Sequence, residues 1–459
     1  MHSESSPRSS AGTDQDNSTY LKVMWRLLPF LFVCYMCSYL DRINISFAKL
    51  QMVKDLGLSD AIYGLGAGIF FVGYLIFEVP SNLMLLKIGA RKWIARIMVT
   101  WGLISAAMLF VKSPASFYAM RFLLGVAEAG FFPAILLYLT YWFPTQRRAK
   151  VTALFMTGIP MAGVVGGPLS GWIMDNMHNQ SGLAGWQWLF LLEGIPTIFL
   201  GVAAFFYLDD KVADATWLSS EQKDLISRDL AKEQVSSKLH SIRDGLTNPR
   251  ILLLSTIYFF YAMGLYGITF WLPSIVKASG ITTPLNIGLL SAIPYAAATI
   301  TMIVVGRSSD TTGERRWHLA IAGVGGALGL WLSVMFAGNT LIAMFGLTIG
   351  TMGVMTTISQ FWTIPPALLS GSAAAAGIAL ANSCGSVSGV VSPYVIGWIQ
   401  TISGNTGSGV LALAFCMVIG SLLVLALPGQ LVNIASKRRS AANATASADL
   451  RAVAPVETP

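Results

Sequence analysis

Six ionisable side chains stand inside stretches of this chain that are otherwise apolar: Asp41, Arg42, Glu78, Arg121, Glu128 and Glu193. A charge carried to the middle of a bilayer costs about 2.5–3.5 kcal/mol on insertion scales, so the set would cost on the order of 15 kcal/mol if uncompensated. Such groups must face one another or a wet cavity. Their types divide the chemistry. Arginine stays protonated and presents a planar fork that fits a carboxylate, so it can hold an anion but cannot switch charge. Asp and Glu can gain and lose a proton. Arg121 and Glu128 are seven residues apart, close to two helical turns, and share a face. Asp41 and Arg42 are adjacent, about 100° apart on a helix, and address different neighbours. This reading assigns Arg42 and Arg121 to anion binding, and Asp41 and Glu128 to proton coupling. The plainer alternative makes Asp41–Arg121 and Arg42–Glu128 neutralising pairs that hold helices together. Glu78, before Pro80, and Glu193, before Gly194-Ile-Pro196, are expected to pair with basic loop residues or with backbone groups freed at the prolines.

The elements that position these groups follow from composition. Of 459 residues, 54% are hydrophobic and 11% charged, and the mean hydropathy is +0.63. A soluble domain carries about 25% charge, so this chain belongs in lipid. A span needs roughly 20 apolar residues, and its backbone polar groups must be satisfied internally. The long continuous runs, such as 251–276 and 410–431, indicate helices rather than alternating barrel strands. Spans are expected near 27–47, 60–85, 93–111, 115–139, 149–175 and 187–208, then near 251–276, 284–306, 317–337, 340–362, 371–400 and 410–432. The expected fold class is an all-α membrane protein, with twelve transmembrane helices in two pseudo-symmetric six-helix bundles. The bundles cover 21–208 and 251–432. Residues 1–20 form a polar, disordered cytoplasmic tail, 209–250 a solvated cytoplasmic linker and 433–459 a cytoplasmic C-terminal tail. Ser219-x-x-Gln222 is placed to cap a short surface helix within the linker.

The net charge of +8 and the pI near 9.3 come from Lys and Arg gathered in alternate short loops. There they set orientation, with both termini cytoplasmic, rather than bind nucleic acid. Cys34, Cys37, Cys384 and Cys416 all fall in apolar runs and read as small buried residues, not as a metal or redox site. The four histidines lie in tails or loops, and no GxxxxGK[ST] loop occurs, so ATP is not the energy source and an enzyme is not expected. No cofactor and no metal are implied. Gly64-x-x-x-Gly68 and Gly163-x-x-x-Gly167-x-x-x-Gly171 read as close-packing helix surfaces.

The halves repeat. Gly89-Ala-Arg-Lys-Trp follows span two, and Gly313-Glu-Arg-Arg-Trp follows span eight. Gly163-Val-Val-Gly-Gly-Pro leading to Gly171-Trp-Ile is echoed by Gly389-Val-Val-Ser-Pro leading to Gly397-Trp-Ile. Such internal repeats are common in secondary transporters. Six plus six helices with basic turns after spans two and eight resemble the major facilitator superfamily. Tyr39-Leu-Asp41-Arg42-Ile-Asn44, Phe77-Glu-Val-Pro-Ser-Asn82, Arg121-Phe-Leu-Leu-Gly-x-x-Glu128-Ala-Gly130 and Phe131-Phe-Pro133 resemble its anion:cation symporter family. Gly371-Ser-Ala-Ala-Ala-Ala-Gly377 and Asn382-x-x-Gly385 agree. The likeness covers about residues 20–435 and looks closest to bacterial permeases for tartrate, phthalate and hydroxyphenylacetate. One departure is clear: Leu86 stands in the first half where Asp310 stands in the second. Ser386 stands where many relatives carry Asn.

The resemblance implies the same roles for Asp41, Arg42, Arg121 and Glu128, and adds Tyr74 and Asn382 as neutral groups on the substrate path. Trp362 and Gln360 in span ten are further cavity candidates. The implied function is proton-coupled uptake of a small organic carboxylate, such as tartrate, a sugar acid or an aromatic acid, by alternating access. Its partners are the anion, protons and membrane lipid, and it acts as a monomer in the plasma (bacterial inner) membrane. The main rival is an exchanger of organic anions or phosphate esters without proton coupling. A multidrug exporter, an intramembrane enzyme and a sensor fit the paired arginines less well.

Overall fold

The computed structural model describes residues 10–234, 249–365 and 371–433. The chain runs through α1 (Ser10–Asp55), α2 (Asp60–Ile88), α3 (Ala90–Ala107), α4 (Pro114–Glu128), α5 (Phe131–Thr140), α6 (Thr145–Met156), α7 (Gly158–Asn176) and α8 (Gly185–Tyr207). After α9 (Ser220–Gln234) come α10 (Pro249–Ala278), α11 (Pro284–Thr312), α12 (Arg316–Met335), α13 (Thr340–Phe361), α14 (Gly371–Ser403) and α15 (Thr406–Leu425). Among the described residues, eleven helical stretches are long and apolar enough to cross a membrane, with α4–α5 and α6–α7 each counting as one. The 33-residue α14 is a further long helix. Outward-facing Phe110, Phe199, Phe206, Ile321 and Leu341 are largely exposed, as lipid-facing positions are.

The helices form two compact units. One holds Met1–Leu58, Leu65–Ser237 and Thr283–Gly288; the other holds Ser59–Gly64, Lys238–Thr282 and Leu289–Pro459. Within the first unit, α1 packs on α7 and α8, and α3 lies along α8. Helix α4 starts on a reciprocal Ser113–Ser116 cap with Pro114 at its first position.

Both repeated basic turns are tight, with Gly89 at φ 98° and Gly313 at φ 66°. Each is capped by a residue that follows the last span of its own half. The Arg91 amide donates to Asp210 Oδ1 at 2.9 Å. The Arg315 and Arg316 amides donate to Asn433 Oδ1 at 3.0 and 3.3 Å. Asp210 therefore puts a carboxylate beside the first-half turn, where Leu86 leaves the turn without its own acid. Arg315 is further held by the Thr363 carbonyl, and burial pulls its pKa down.

The segment after α8 is docked on the first unit. The Tyr138 hydroxyl donates to the Asp209 carbonyl at 2.9 Å, the Trp217 indole donates to Asp209 Oδ2 at 2.8 Å, and Trp142 stacks on Trp217. Leu218, Leu225 and Ile226 are buried. Ser219 and Gln222 cap α9 reciprocally: the Ser219 amide donates to Gln222 Oε1 and the Gln222 amide to Ser219 Oγ.

Candidate functional site

The adjacent pair on α1 divides as its spacing requires. Arg42 points to α4, where its Nε and Nη2 both donate to Glu128 Oε1, at 2.8 and 2.6 Å. The Ser38 hydroxyl, one turn earlier on α1, donates to the same oxygen at 2.7 Å. Glu128 Oε2 is buried and accepts nothing. One oxygen of this carboxyl is thus saturated by three donors while the other is bare. The Glu128 side chain is 1% exposed and that of Arg42 11%. The guanidinium of Arg42 also lies over the rings of Tyr39, Phe70 and Tyr74, at 5.5, 5.5 and 5.4 Å from their centroids.

Asp41 points the other way, into neutral donors. Trp101 Nε1 donates to its Oδ2 at 2.7 Å and the Ser105 hydroxyl to its Oδ1 at 2.7 Å, both from α3. The Thr197 hydroxyl of α8 adds 3.1 Å to Oδ2, and Asn44 Nδ2 lies 3.3 Å from Oδ1. Asp41 is 1% exposed. The two neutralising pairs of the plainer alternative therefore fare differently. Arg42–Glu128 forms, whereas the partners of Asp41 are four neutral groups from three helices and do not include Arg121.

Arg121 is fully buried. Its Nε and Nη2 donate to the carbonyls of Gly66 and Ala67 on α2, both at 3.3 Å. Its guanidinium lies 5.1 Å from the centroid of Phe70. The same ring thus serves both arginines. Phe70 reaches this position because α2 and α4 touch backbone to backbone: a Cβ on Gly125 would stand 1.9 Å from the Phe70 carbonyl oxygen. Just past Glu128 the helix breaks. Pro133 has no amide to give the Ala129 carbonyl, and Gly130 takes a left-handed φ of 84° with the Ser81 hydroxyl where a Cβ would stand. Glu128 therefore ends α4 rather than sitting within a continuous rod.

Glu193 on α8 is 3% exposed. Its Oε1 accepts the Ser170 hydroxyl of α7 at 2.7 Å, and its Oε2 is buried and accepts nothing. The expected partner, a basic loop residue or a proline-freed backbone group, is replaced by this hydroxyl. Glu78 is buried below Pro80. Trp101, Ser105, Thr197, Ser170 and Ser38 were not singled out from sequence. They are neutral, scattered over four helices and carry no motif.

In the second unit, Trp362 ends α13 edge-on to Tyr258, with centroids 4.9 Å apart, and Tyr258 stacks on Phe361 at 4.6 Å. The Tyr258 ring occupies the space beside Gly385, one turn from half-buried Asn382 on α14, whose carbonyl accepts from Ser386. Tyr258 thus links α13 to the Asn382-x-x-Gly385 turn. Among the described residues, no three His, Cys, Asp or Glu side chains converge as metal ligands would.

The chain matches the Major Facilitator Superfamily over residues 31–393. It is 46% identical over 426 residues to a Pseudomonas putida protein provisionally named metabolite transport protein NicT, covering 92% of this chain and 98% of that one. It is 45% identical over 417 residues to an Agrobacterium vitis protein provisionally named tartrate transporter, covering 90% and 96%. Among solved structures, a bacterial homologue of the human lysosomal transporter Spinster superposes with a TM-score of 0.71 at 16% identity, covering 87% and 95%. The xylose transporter XylE from Escherichia coli gives 0.71 at 13%, covering 88% and 95%. At those identities the likeness is one of fold.

Proposed function

Starting from a chain that belongs to the Major Facilitator Superfamily, we propose that this membrane transporter takes up a small organic carboxylate together with protons. The protein is a multi-pass transporter and not an enzyme. The cargo class proposed is a tartrate-like acid, a sugar acid or an aromatic acid. The observation that supports it most is the Arg42–Glu128 contact. Both inward donors of the more accessible arginine are taken by one oxygen of a carboxyl whose other oxygen is bare.

A proton arriving at Glu128 Oε2 neutralises that carboxyl and turns two charge-assisted hydrogen bonds into weaker neutral ones. An incoming carboxylate then takes Nε and Nη2 of Arg42 as a matched fork. Tyr74, against the same guanidinium, gives a hydroxyl to the cargo. Arg121 joins the anion only in a conformation that releases it from the Gly66 and Ala67 carbonyls. Asp41 holds a second proton among its neutral donors. It exchanges that proton by turning the Ser105 or Thr197 hydroxyl from donor to acceptor, since the Trp101 N–H cannot turn. Within the second unit, Asn382 and Trp362 are the neutral candidates for substrate contact. The transporter works as a monomer in the bacterial inner membrane, with both termini cytoplasmic, by alternating access.

The test is uptake into proteoliposomes. An imposed inward proton gradient accelerates uptake of the carried acid, and Arg42→Ala abolishes it. Equal rates with and without the gradient would remove the symport reading. The rival exchanger keeps the arginines and needs no protonatable carboxyls. Asp41→Asn that retains exchange and loses only concentrative uptake supports coupling through Asp41. An unaltered concentrative uptake removes Asp41 from the coupling.

A further inference from the structure

We propose that Glu193 is a third proton-carrying carboxyl of the transport cycle, beside Glu128 and Asp41, taking its proton on Oε2 and working as a pair with Asp41. The inference rests on the symport reading above and extends it to a residue to which that reading gives no part.

Three carboxyls are buried in the first unit near α1, and their oxygens are not equivalent. Asp41 has both oxygens occupied, each by two donors. Glu193 has Oε1 held by Ser170, while Oε2 is buried and makes no hydrogen bond of normal length, with the Asn44 amide as the neighbouring donor. A buried carboxylate oxygen left short of a hydrogen bond is costly, and a proton on that oxygen is the smallest change that removes the charge. The protonated group keeps its Ser170 bond, because the proton and the hydroxyl use different oxygens.

The coupling to Asp41 is local. Asn44 reaches Asp41 with its amide nitrogen and also faces Glu193. Thr197, one turn after Glu193 on α8, donates to Asp41. The charged and titratable groups around the pair are few. From α1 the Cys37 thiol lies near both carboxyls. From α4, Glu128 acts on Asp41. Helix α7 contributes only the neutral Ser170. Helix α3 contributes Trp101 and Ser105, and its nearest charge, Arg96, is turned onto the ring of Trp93. Two carboxyls that share the neutral Asn44, and that form no ion pair among the described residues, repel each other when both are ionised, so their protons are taken and given up in linked steps. Each cycle moves two protons from outside water to this pair, one on each carboxyl, and on to inside water, with no bond made or broken except to those protons.

The experiment measures the reversal potential of cargo-coupled proton flux in proteoliposomes, which gives protons carried per anion. Glu193→Gln keeps the shape and the Ser170 contact but cannot take a proton, and the expected ratio falls by one. In infrared difference spectra, the carbonyl band of a protonated carboxyl present in the wild type is lost. If Glu193→Gln does not fold, Ser170→Ala keeps the carboxyl and removes only its donor. The pH of half-maximal uptake then moves by about one unit. An unchanged ratio and an unchanged band, in protein as stable as the wild type, overturn the inference while symport stands. A wild type that ignores the proton gradient overturns the symport reading itself, and this inference with it.

Discussion

Glu128→Gln separates competition from structure at Arg42. In the present conformation Glu128 Oε1 accepts from both Nε and Nη2 of Arg42, at 2.8 and 2.6 Å. A cargo carboxylate that needs those donors must displace it. Hydrogen bonds to a charged partner contribute about 1.5–3 kcal/mol and neutral ones about 0.5–1.5 kcal/mol. With the side chains 1% and 11% exposed, solvent screens little of the difference. Replacing the carboxylate by an amide therefore weakens the internal competitor by roughly 1–2 kcal/mol. The cargo should bind about 5- to 30-fold tighter at alkaline pH, and the wild type's preference for acid should shrink. Concentrative uptake should fall, since one proton site is gone. The substitution also puts an NH2 where Oε2 lacks a partner, which costs about 1–3 kcal/mol of stability. Binding is therefore measured calorimetrically on folded, detergent-solubilised protein at fixed ionic strength, across a pH series. An affinity that is unchanged or lower at alkaline pH would refute the displacement argument.

Arg42→Lys keeps the charge but not the fork, so uptake should fall at least tenfold while remaining above that of Arg42→Ala, read from initial rates. Gly125→Ala forces a Cβ to within 1.9 Å of the Phe70 carbonyl. It should cost about 1–3 kcal/mol, seen as a lowered thermal midpoint, and reduce transport by moving Phe70. Trp101→Phe removes the 2.7 Å donor to Asp41. Its stability cost of about 1.5–3 kcal/mol should be largest at high pH, where Asp41 is ionised, and smaller in acid, measured by unfolding across pH. Asp210→Asn should cost no more than about 1 kcal/mol, because the Arg91 Nε contact is long, at 3.8 Å, and partly exposed.

Sequence alone made the spans and the split of Asp41 from Arg42 legible, because charge in an apolar run and the 100° step between neighbours are local properties. The plainer alternative paired Asp41 with Arg121, and that local pairing does not form. What compensates a buried charge need not be an opposite charge, and although Asn44 stands in the same motif as Asp41, Trp101, Ser105 and Thr197 give no signal until the donors converge. The Ser219–Gln222 cap was readable for the same reason as the spans: its partners are three residues apart. Asp210, standing in for the acid missing at Leu86, was not readable, since it comes from beyond span six. Asn433 plays the matching part beyond span twelve, so the repeat extends to residues that share no sequence motif. Glu193 looked like a proline-break residue from its neighbours in the chain. Only Ser170, from the preceding span, shows which of its oxygens is occupied.

Phe70 lies 5.5 Å from one guanidinium and 5.1 Å from the other. A ring shared in this way couples two cations that never touch. Withdrawing electrons from it, as stepwise fluorination does, loosens both at once and in proportion. A lineage or a designer seeking a new cargo can retune Tyr74 and change one arginine alone, but any alteration at position 70 is felt on both sides.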